Sequence, residues 1–593
     1  MAEDETFRVD GTKTASVAAT MGCADRIFAC VVLLSSLSAG CSSSAAMPSS
    51  ESASDPVASA GRDATAPADS STGAAPGALF SGRPTHVPGF VHPSADAGTG
   101  TKDAAADAPP SDASVPPPGD ATPYGQWQPI ATPPPFTPDV ALLLTDGTVM
   151  VHDYQEGSKF WRLSPDIHGS YVTGTWSTMA SLPAGYEPTF FSSAVLADGR
   201  VVIIGGEYNE GADVETPLGA IYDPPTDTWT PIQAPTPLEV WYIVGDAPSV
   251  VLPDGTWMIG SIPAKQQATF DARTLTWTTI SSPGNGKADD NAEEGWTLLP
   301  NGKVLTVDVG IGLGDGRSCP STTNSELFDP AVQTWSSAGN TGPALPDTCV
   351  GEIGPAVLRP DGTVFAIGAT GNTAVYGVDG GWTAGPTFPV VAPGQLDLAD
   401  GCAVLLPNGN VLAAASPGDY QPPASFFEFD GTNLTQVSAT QNAANDSSFN
   451  VFFLLLPSGQ VLSIDYSPDI ELYASTGAPS ASWAPTITVA PTTVVRGTTY
   501  RLEGTQLNGL SQAVAYGDDY QGATDYPLVR ITNDATGHVF YGRTHDHSTM
   551  AVATGTAPVS TLFEAPSQAE VGASSLVVVA NGIPSAPVAV TLQ

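Results

Sequence analysis

The stretch AVLADGRVVIIGG, Ala194 to Gly206, decides the fold. An apolar run meets Asp198-Gly199, and a second apolar run follows at once. Asp-Gly between two hydrophobic segments is a hairpin signal, because glycine supplies the positive φ that a tight turn requires. The reading is two buried strands joined by a two-residue turn. The phrase recurs along the chain as LLLTDGTVMV (Leu142 to Val151), VVLPDGTWMIG (Val250 to Gly260) and WTLLPNGKVLTV (Trp296 to Val307). AVLRPDGTVFAIG (Ala356 to Gly368), AVLLPNGNVLAAA (Ala403 to Ala415) and FFLLLPSGQVLSI (Phe452 to Ile464) complete seven copies, with turn glycines 47 to 60 residues apart. Between copies comes a third strand, as in AIYDPPTDTWTPI, and then a fourth built on Trp176, Trp229, Trp277, Trp335 or Trp382. Four strands per repeat at this period imply a seven-bladed β-propeller. The segment GQWQPI, Gly125 to Ile130, is expected to close the ring by completing the last blade, which leaves no free edge.

The 593-residue chain holds more than one folded unit. Nineteen basic against sixty acidic residues give a net charge of −41. So acidic a surface repels phosphate backbones and anionic headgroups, which argues against nucleic acid and against electrostatic membrane docking. Abundant Gly (61) and Pro (55) with 13% charged residues suit short strands and many turns.

At the N-terminus Arg26 precedes the apolar run Ile27 to Ser38, which is too short to span a bilayer. LSAGC, ending at Cys41, resembles the lipobox of bacterial lipoproteins, which implies cleavage and acylation of Cys41. Met21 is an alternative start. Residues 1–41 are thus read as a leader and lipobox, in an extracytoplasmic protein at the outer membrane or cell surface, or else secreted. The membrane is met only through the lipid. Residues 42–122 are Ala-, Pro- and Ser-rich and read as a flexible tether. Cys319 and Cys349 are the expected disulfide in an oxidising compartment, and Cys402 is expected to be buried and inert.

Residues 123–484 form the expected propeller. After Trp483 the Trp-bearing repeat stops, and residues 485–593 alternate apolar and polar like an Ig-like sandwich. The combination of DGR-V-x-x-GG, Y-DP-x-T-x-TW and a C-terminal GIPS-x-PVAV resembles the kelch propellers of the galactose oxidase and glyoxal oxidase family, over residues 125 to 593. The resemblance implies an all-β fold: a seven-bladed kelch-type propeller followed by a sandwich of that family's type. It also implies a copper held by two tyrosines and two histidines, one tyrosine being crosslinked to a cysteine. Here the Tyr-His phrase falls on Phe449 and Asn450, the crosslinked tyrosine on Phe190, and the stacking tryptophan on Tyr208. Tyr186 lies four positions from Phe190, and the first repeat has no cysteine. A phenyl ring cannot ligate copper and a carboxamide is a poor ligand beside imidazole. No cofactor is expected, copper least of all, though another divalent metal fits some sequences.

One such sequence is ATGHVFYGRTHDHST. His545 and His547 would share a strand face as a two-ligand clamp, next to Arg543, and His538 would cap the central channel where the family places its fourth ligand. The loop KADDNAEEGW, Lys287 to Trp296, lacks the spacing of known calcium loops and reads as a solvated turn. No GxSxG or Ser-His-Asp arrangement appears. The functional reading is non-catalytic binding of a carbohydrate or protein ligand through loops at one propeller face. The alternative is an oxidase-like oxidoreductase with altered metal ligation.

Overall fold

The computed structural model describes residues 125–593, apart from 215, 246–247, 281–283, 311–320, 419 and 517–519. The leader, Cys41, the tether and Cys319 therefore lie outside the described residues. Among the described residues no helix is long and apolar enough to cross a membrane.

Seven four-stranded antiparallel units form the ring. Blade 1 runs through Pro138–Leu143, Val149–Asp153, Phe160–Ser164 and Thr175–Thr178. Blade 2 runs through Ser192–Val195, Val201–Ile204, Gly219–Asp223 and Thr228–Ile232, and blade 3 through Ser249–Val251, Trp257–Gly260, Gln267–Asp271 and Thr276–Ile280. Blade 4 comprises Thr297–Leu298, Val304–Val307, Asn324–Asp329 and Thr334–Asn340, and blade 5 Ala356–Leu358, Val364–Ile367, Thr373–Tyr376 and Trp382–Ala384. Blade 6 comprises Ala403–Leu405, Val411–Pro417, Ser425–Phe429 and Leu434–Gln436. Blade 7 takes Phe452–Leu455, Val461–Ile464 and Glu471–Tyr473 from one end of the ring and Trp127–Pro129 from the other. Trp127 pairs with Tyr473 and Pro129 with Glu471, so the ring closes as expected.

The turns differ from expectation in one respect. In every copy the glycine N–H bonds the carbonyl three residues back, as Gly147 to Leu144, and the next N–H···O pair closes across three loop residues. Only the glycine has positive φ, from 76° at Gly147 to 91° at Gly409. This is a three-residue loop with a glycine bulge, not a two-residue turn. The Asp or Asn before the glycine serves as an acceptor instead: Asp146 Oδ1 takes the N–H of Thr148, Asp198 Oδ1 that of Arg200, and Asn408 Oδ1 that of Asn410.

The blades are stapled by the tryptophans. The indole N–H of Trp176 donates to Thr132 O (2.9 Å), that of Trp229 to Ala180 O (3.0 Å) and that of Trp277 to Gln233 O (2.6 Å). Each bond reaches back to the preceding blade, and Trp127 does the same to Ser438 O at 2.8 Å. A net 0.5–1.5 kcal/mol per such bond, roughly, adds to the burial of the indole.

Nine of the ten strands after Trp483 form one hydrogen-bonded sheet, from Thr486–Val489 through Val539–His545 to Val588–Leu592 and Thr493–Val494, and the tenth, Val514–Ala515, joins blade 6. The pairing follows one continuous path rather than two separate sheets, around a core of its own that includes Leu502, Ile531, Phe563 and Leu576. This half packs on the turn pole of the propeller. A Cβ on Gly147 would lie 2.6 Å from the Tyr541 ring, and one on Gly199 2.8 Å from Thr544 O. Thr544 N donates to Thr145 O and His547 N to Ala197 O. The repeat glycines thus serve both turn and contact.

Candidate functional site

With the turn pole covered, the opposite pole is set by what precedes each first strand and follows each second strand. Six aromatic residues from four blades meet there. Phe190 lies 5.7 Å from Phe449 and 5.9 Å from Tyr208, ring centre to ring centre. Phe449 continues to Tyr466 (6.2 Å) and Tyr420 (5.5 Å), and Tyr466 to Tyr154 (4.9 Å). Phe449 and Tyr466 are buried, while Phe190, Tyr208, Tyr420 and Tyr154 are half-buried. A small sheet of Pro188–Thr189, Tyr208–Asn209 and Ala212–Asp213 fixes Tyr208 opposite Thr189, next to Phe190, which holds a left-handed φ of 55°.

Carboxylates flank these rings. The Tyr420 hydroxyl donates to Glu352 Oε1 at 2.5 Å, and Glu352 is buried. Burial raises the Tyr154 hydroxyl above its ordinary value, helped by Asp139 and Glu207. Behind Phe449, burial pushes Asp446 up to about 9, with the neighbouring Asp465 adding to the rise. Glu471 is pushed up to about 7, also chiefly by burial. A buried carboxyl that keeps its proton is a hydrogen-bond donor as well as an acceptor.

The Phe190, Tyr208 and Phe449 positions are therefore brought together, whereas Asn450 does another job. Its Oδ1 accepts from the N–H and the hydroxyl of Ser447 and closes the short helical turn Ser448–Asn450. Tyr186 is buried with its hydroxyl on Gly205 O (2.9 Å). The donor set does not fit a copper of the family type: Phe190 and Phe449 offer no ligand atom and Asn450 is spent on its cap. The imidazole of His152, on blade 1, is fully engaged, with Nδ1 2.9 Å from both Asp139 oxygens and Nε2 2.8 Å from Gly157 O. Burial alone would lower His152, but Asp139 and the Gly157 carbonyl outweigh it and raise the imidazole above its ordinary value.

His538 does not cap the channel. The next residue, Val539, bonds Ile167 O on an outer loop of blade 1, and His538 Nδ1 sits 2.8 Å from Glu570. Three tyrosines of the C-terminal unit fill the hub instead. Val514–Ala515 pairs with Ala403–Val404 of blade 6, and the Tyr516 hydroxyl donates to Phe449 O at 3.2 Å. The Tyr520 hydroxyl reaches Ala141 O and Phe453 O, on the innermost strands of blades 1 and 7, and that of Tyr526 reaches Leu143 O. The phrase AVAYGDDYQGATDYPL carries this plug, and its signal is three tyrosines in a stretch that breaks the two-residue alternation around it. His545 and His547 do not form a strand clamp either. The strand ends at His545, Asp546 takes φ 50°, and the alternation stops. His545 Nδ1 meets Asp546, while His547 Nδ1 meets Thr561 Oγ1 inside the core, where burial pushes His547 down to about 3.

Cys402 is buried and free, its thiol raised by burial, which fits an inert role. Cys349 is disulfide-bonded. The loop KADDNAEEGW is not a solvated turn. Lys287, Asn291 and Glu294 are buried, and the Lys287 ammonium lies 2.6 Å from Asp289, 2.7 Å from Glu294 and 2.9 Å from Glu326.

No protein-family model matches this chain, and no curated protein matches it. Among solved structures, one described as a novel fungal alcohol oxidase of the AA5 family in complex with copper is 14% identical, covers 79% of this chain and 99% of that chain, and has a TM-score of 0.45. A streptogramin B lyase is 10% identical over 58% of this chain and 96% of that one, with a TM-score of 0.40. A structure described as YCF48 bound to D1 peptide is 14% identical over 62% of this chain and 100% of that one, also at 0.40.

Proposed function

We propose that this chain is an exported, lipid-anchored kelch-type propeller that binds a carbohydrate at the cell surface, through the aromatic pole, without catalysing a reaction on it. The observation that carries the reading is the aromatic array itself. Phe190, Tyr208, Tyr154 and Tyr420 keep part of their surface exposed beside the Tyr420–Glu352 pair. Flat apolar faces with a few fixed polar groups suit the C–H faces and hydroxyls of a sugar. The C-terminal half, read as an Ig-like sandwich, supports the hub from the other pole through its tyrosine plug. Acylation of Cys41 below the tether of residues 42–122 would hold this pole away from the membrane.

A glycan array probed with the full chain and with Tyr208→Ala tests the site. Glycan signals lost in the variant support it. Signals equal in both place binding elsewhere and overturn it. No glycan signal, together with binding to a surface protein, favours the protein-ligand reading. Copper-dependent peroxide release from alcohols or aldehydes would replace the binding role by the oxidase reading. Metabolic labelling with an azido fatty acid, lost in Cys41→Ser, tests the anchor.

A further inference from the structure

Blade 4 carries a second cluster that the aromatic pole does not use. Lys287, Asp289 and Glu294 precede its first strand, Asp308 follows its second strand, and Glu326 lies on its third. Lys287 side-chain exposure is 0%, and that of Glu294, Asp308 and Glu326 is 0%, 3% and 4%. The ammonium donates hydrogen bonds to Asp289 (2.6 Å) and Glu294 (2.7 Å) and forms an ion pair with Glu326 at 2.9 Å. Asp308 stands off from the ammonium, with Oδ1 4.0 Å from Nζ, and shares a side-chain hydrogen bond with Glu326.

That oxygen is the informative atom. Asp308 Oδ1 is buried without a hydrogen-bond partner, yet it belongs to a carboxylate whose oxygen lies within 4.8 Å of ligand atoms of both Asp289 and Glu294. Four carboxyl groups crowd round one ammonium, and three of them, Glu294, Asp308 and Glu326, have almost no water contact. A buried, uncompensated charge is too costly to stand alone. The oxygens that remain available are acceptors only, and they converge on one point.

We propose that blade 4 binds a divalent cation of the calcium class, held by carboxylate oxygens of Asp308, Asp289 and Glu294. Two positive charges offset the crowded carboxyl groups and give Asp308 Oδ1 its partner. The donors are all hard oxygens, which selects calcium or magnesium over copper or zinc. Their irregular arrangement, with Asp289 Oδ2 also accepting from Gly310 N and Glu294 Oε2 from Thr306 Oγ1, suits the flexible coordination of calcium better than the strict octahedron of magnesium. Lys287 stands beside the ion as a like charge, so it limits affinity while holding the carboxylates in place.

Terbium, a luminescent calcium substitute, provides the test on the full chain after chelator treatment. Trp335, whose ring centre is 5.3 Å from the Lys287 ammonium, and the buried Trp296 are the sensitisers. The expected result is one saturable emission component, displaced by calcium at lower concentration than by magnesium. Asp308→Asn keeps the size of the side chain and its capacity to hydrogen-bond Glu326, so it should unfold no more easily in chelator, and it should lose that component. Asp254→Asn, in an exposed turn, should keep it. Absence of a saturable component, or its survival in Asp308→Asn, overturns the proposal. So does its loss in Asp254→Asn.

Discussion

Lys287→Met isolates what the buried network of blade 4 contributes. Methionine keeps the apolar stem and deletes the ammonium, so Asp289, Glu294 and Glu326 each lose a contact of 2.6 to 2.9 Å. Glu294 keeps the Thr306 hydroxyl at 3.2 Å, and Glu326 keeps the Ala288 N–H at 3.0 and 3.1 Å and its hydrogen bond with Asp308. Removing one partner of a buried ion pair costs about 3–5 kcal/mol, because the other charge stays buried and unpaired. Three carboxyl groups lose a partner here, and the 22% side-chain exposure of Asp289 tempers the cost, so a value inside that range is expected. Urea unfolding at neutral pH in the presence of chelator measures it. Glu294→Gln added to Lys287→Met removes one stranded charge, and the pair should be more stable than Lys287→Met alone by about 1 kcal/mol or more. A loss below about 1 kcal/mol for Lys287→Met would mean the cluster is solvated after all, and the buried-network reasoning would be wrong.

Two further perturbations probe the ring and its wall. Trp127→Ala removes the indole that packs on Phe426 and Tyr473 at 5.2 and 5.0 Å and bonds Ser438 O, and it should cost about 2–4 kcal/mol in urea unfolding, less than a fully buried Trp. A neutral Trp127→Ala would show that closure does not hold the last blade. Asp446, pushed up to about 9, binds its proton in the folded state far above the unfolded value. Its contribution to stability is therefore full below about pH 4 and is lost as pH rises toward 9. Asp446→Asn should accordingly flatten the decline in stability between pH 5 and pH 8, by roughly a kcal/mol per pH unit. Parallel pH profiles for wild type and variant would remove the neutral-carboxyl assignment.

Much of the architecture was legible because it is periodic. The Asp-Gly and Asn-Gly positions, the tryptophan slot and the closing strand at Trp127 all stand at the expected places in the ring. The turn type was not legible. Asp-Gly fits a two-residue turn as well as a glycine bulge, and only the hydrogen bonds distinguish them. Phe190, Tyr208 and Phe449 were reached through a family resemblance, and they do converge. Tyr420 and Tyr466 were not singled out, because aromatic residues are routine in propeller cores and only the ring geometry joins them. His538, His545 and His547 misled because nearness in sequence is not convergence: each Nδ1 has a different partner. The charges of Lys287 to Glu294 looked like a solvated face, since the carboxylates that bury Lys287 arrive from as far as Glu326.

The central claim is that the aromatic pole is a ligand site built on ring faces. Isothermal titration of the strongest array glycan against wild type and Phe190→Ala tests it most directly. Burying a phenyl ring is worth about 1.5–3 kcal/mol, so Phe190→Ala should weaken binding by about tenfold or more, with the fold intact by thermal unfolding. Affinity for the glycan that is unchanged in Phe190→Ala would contradict it.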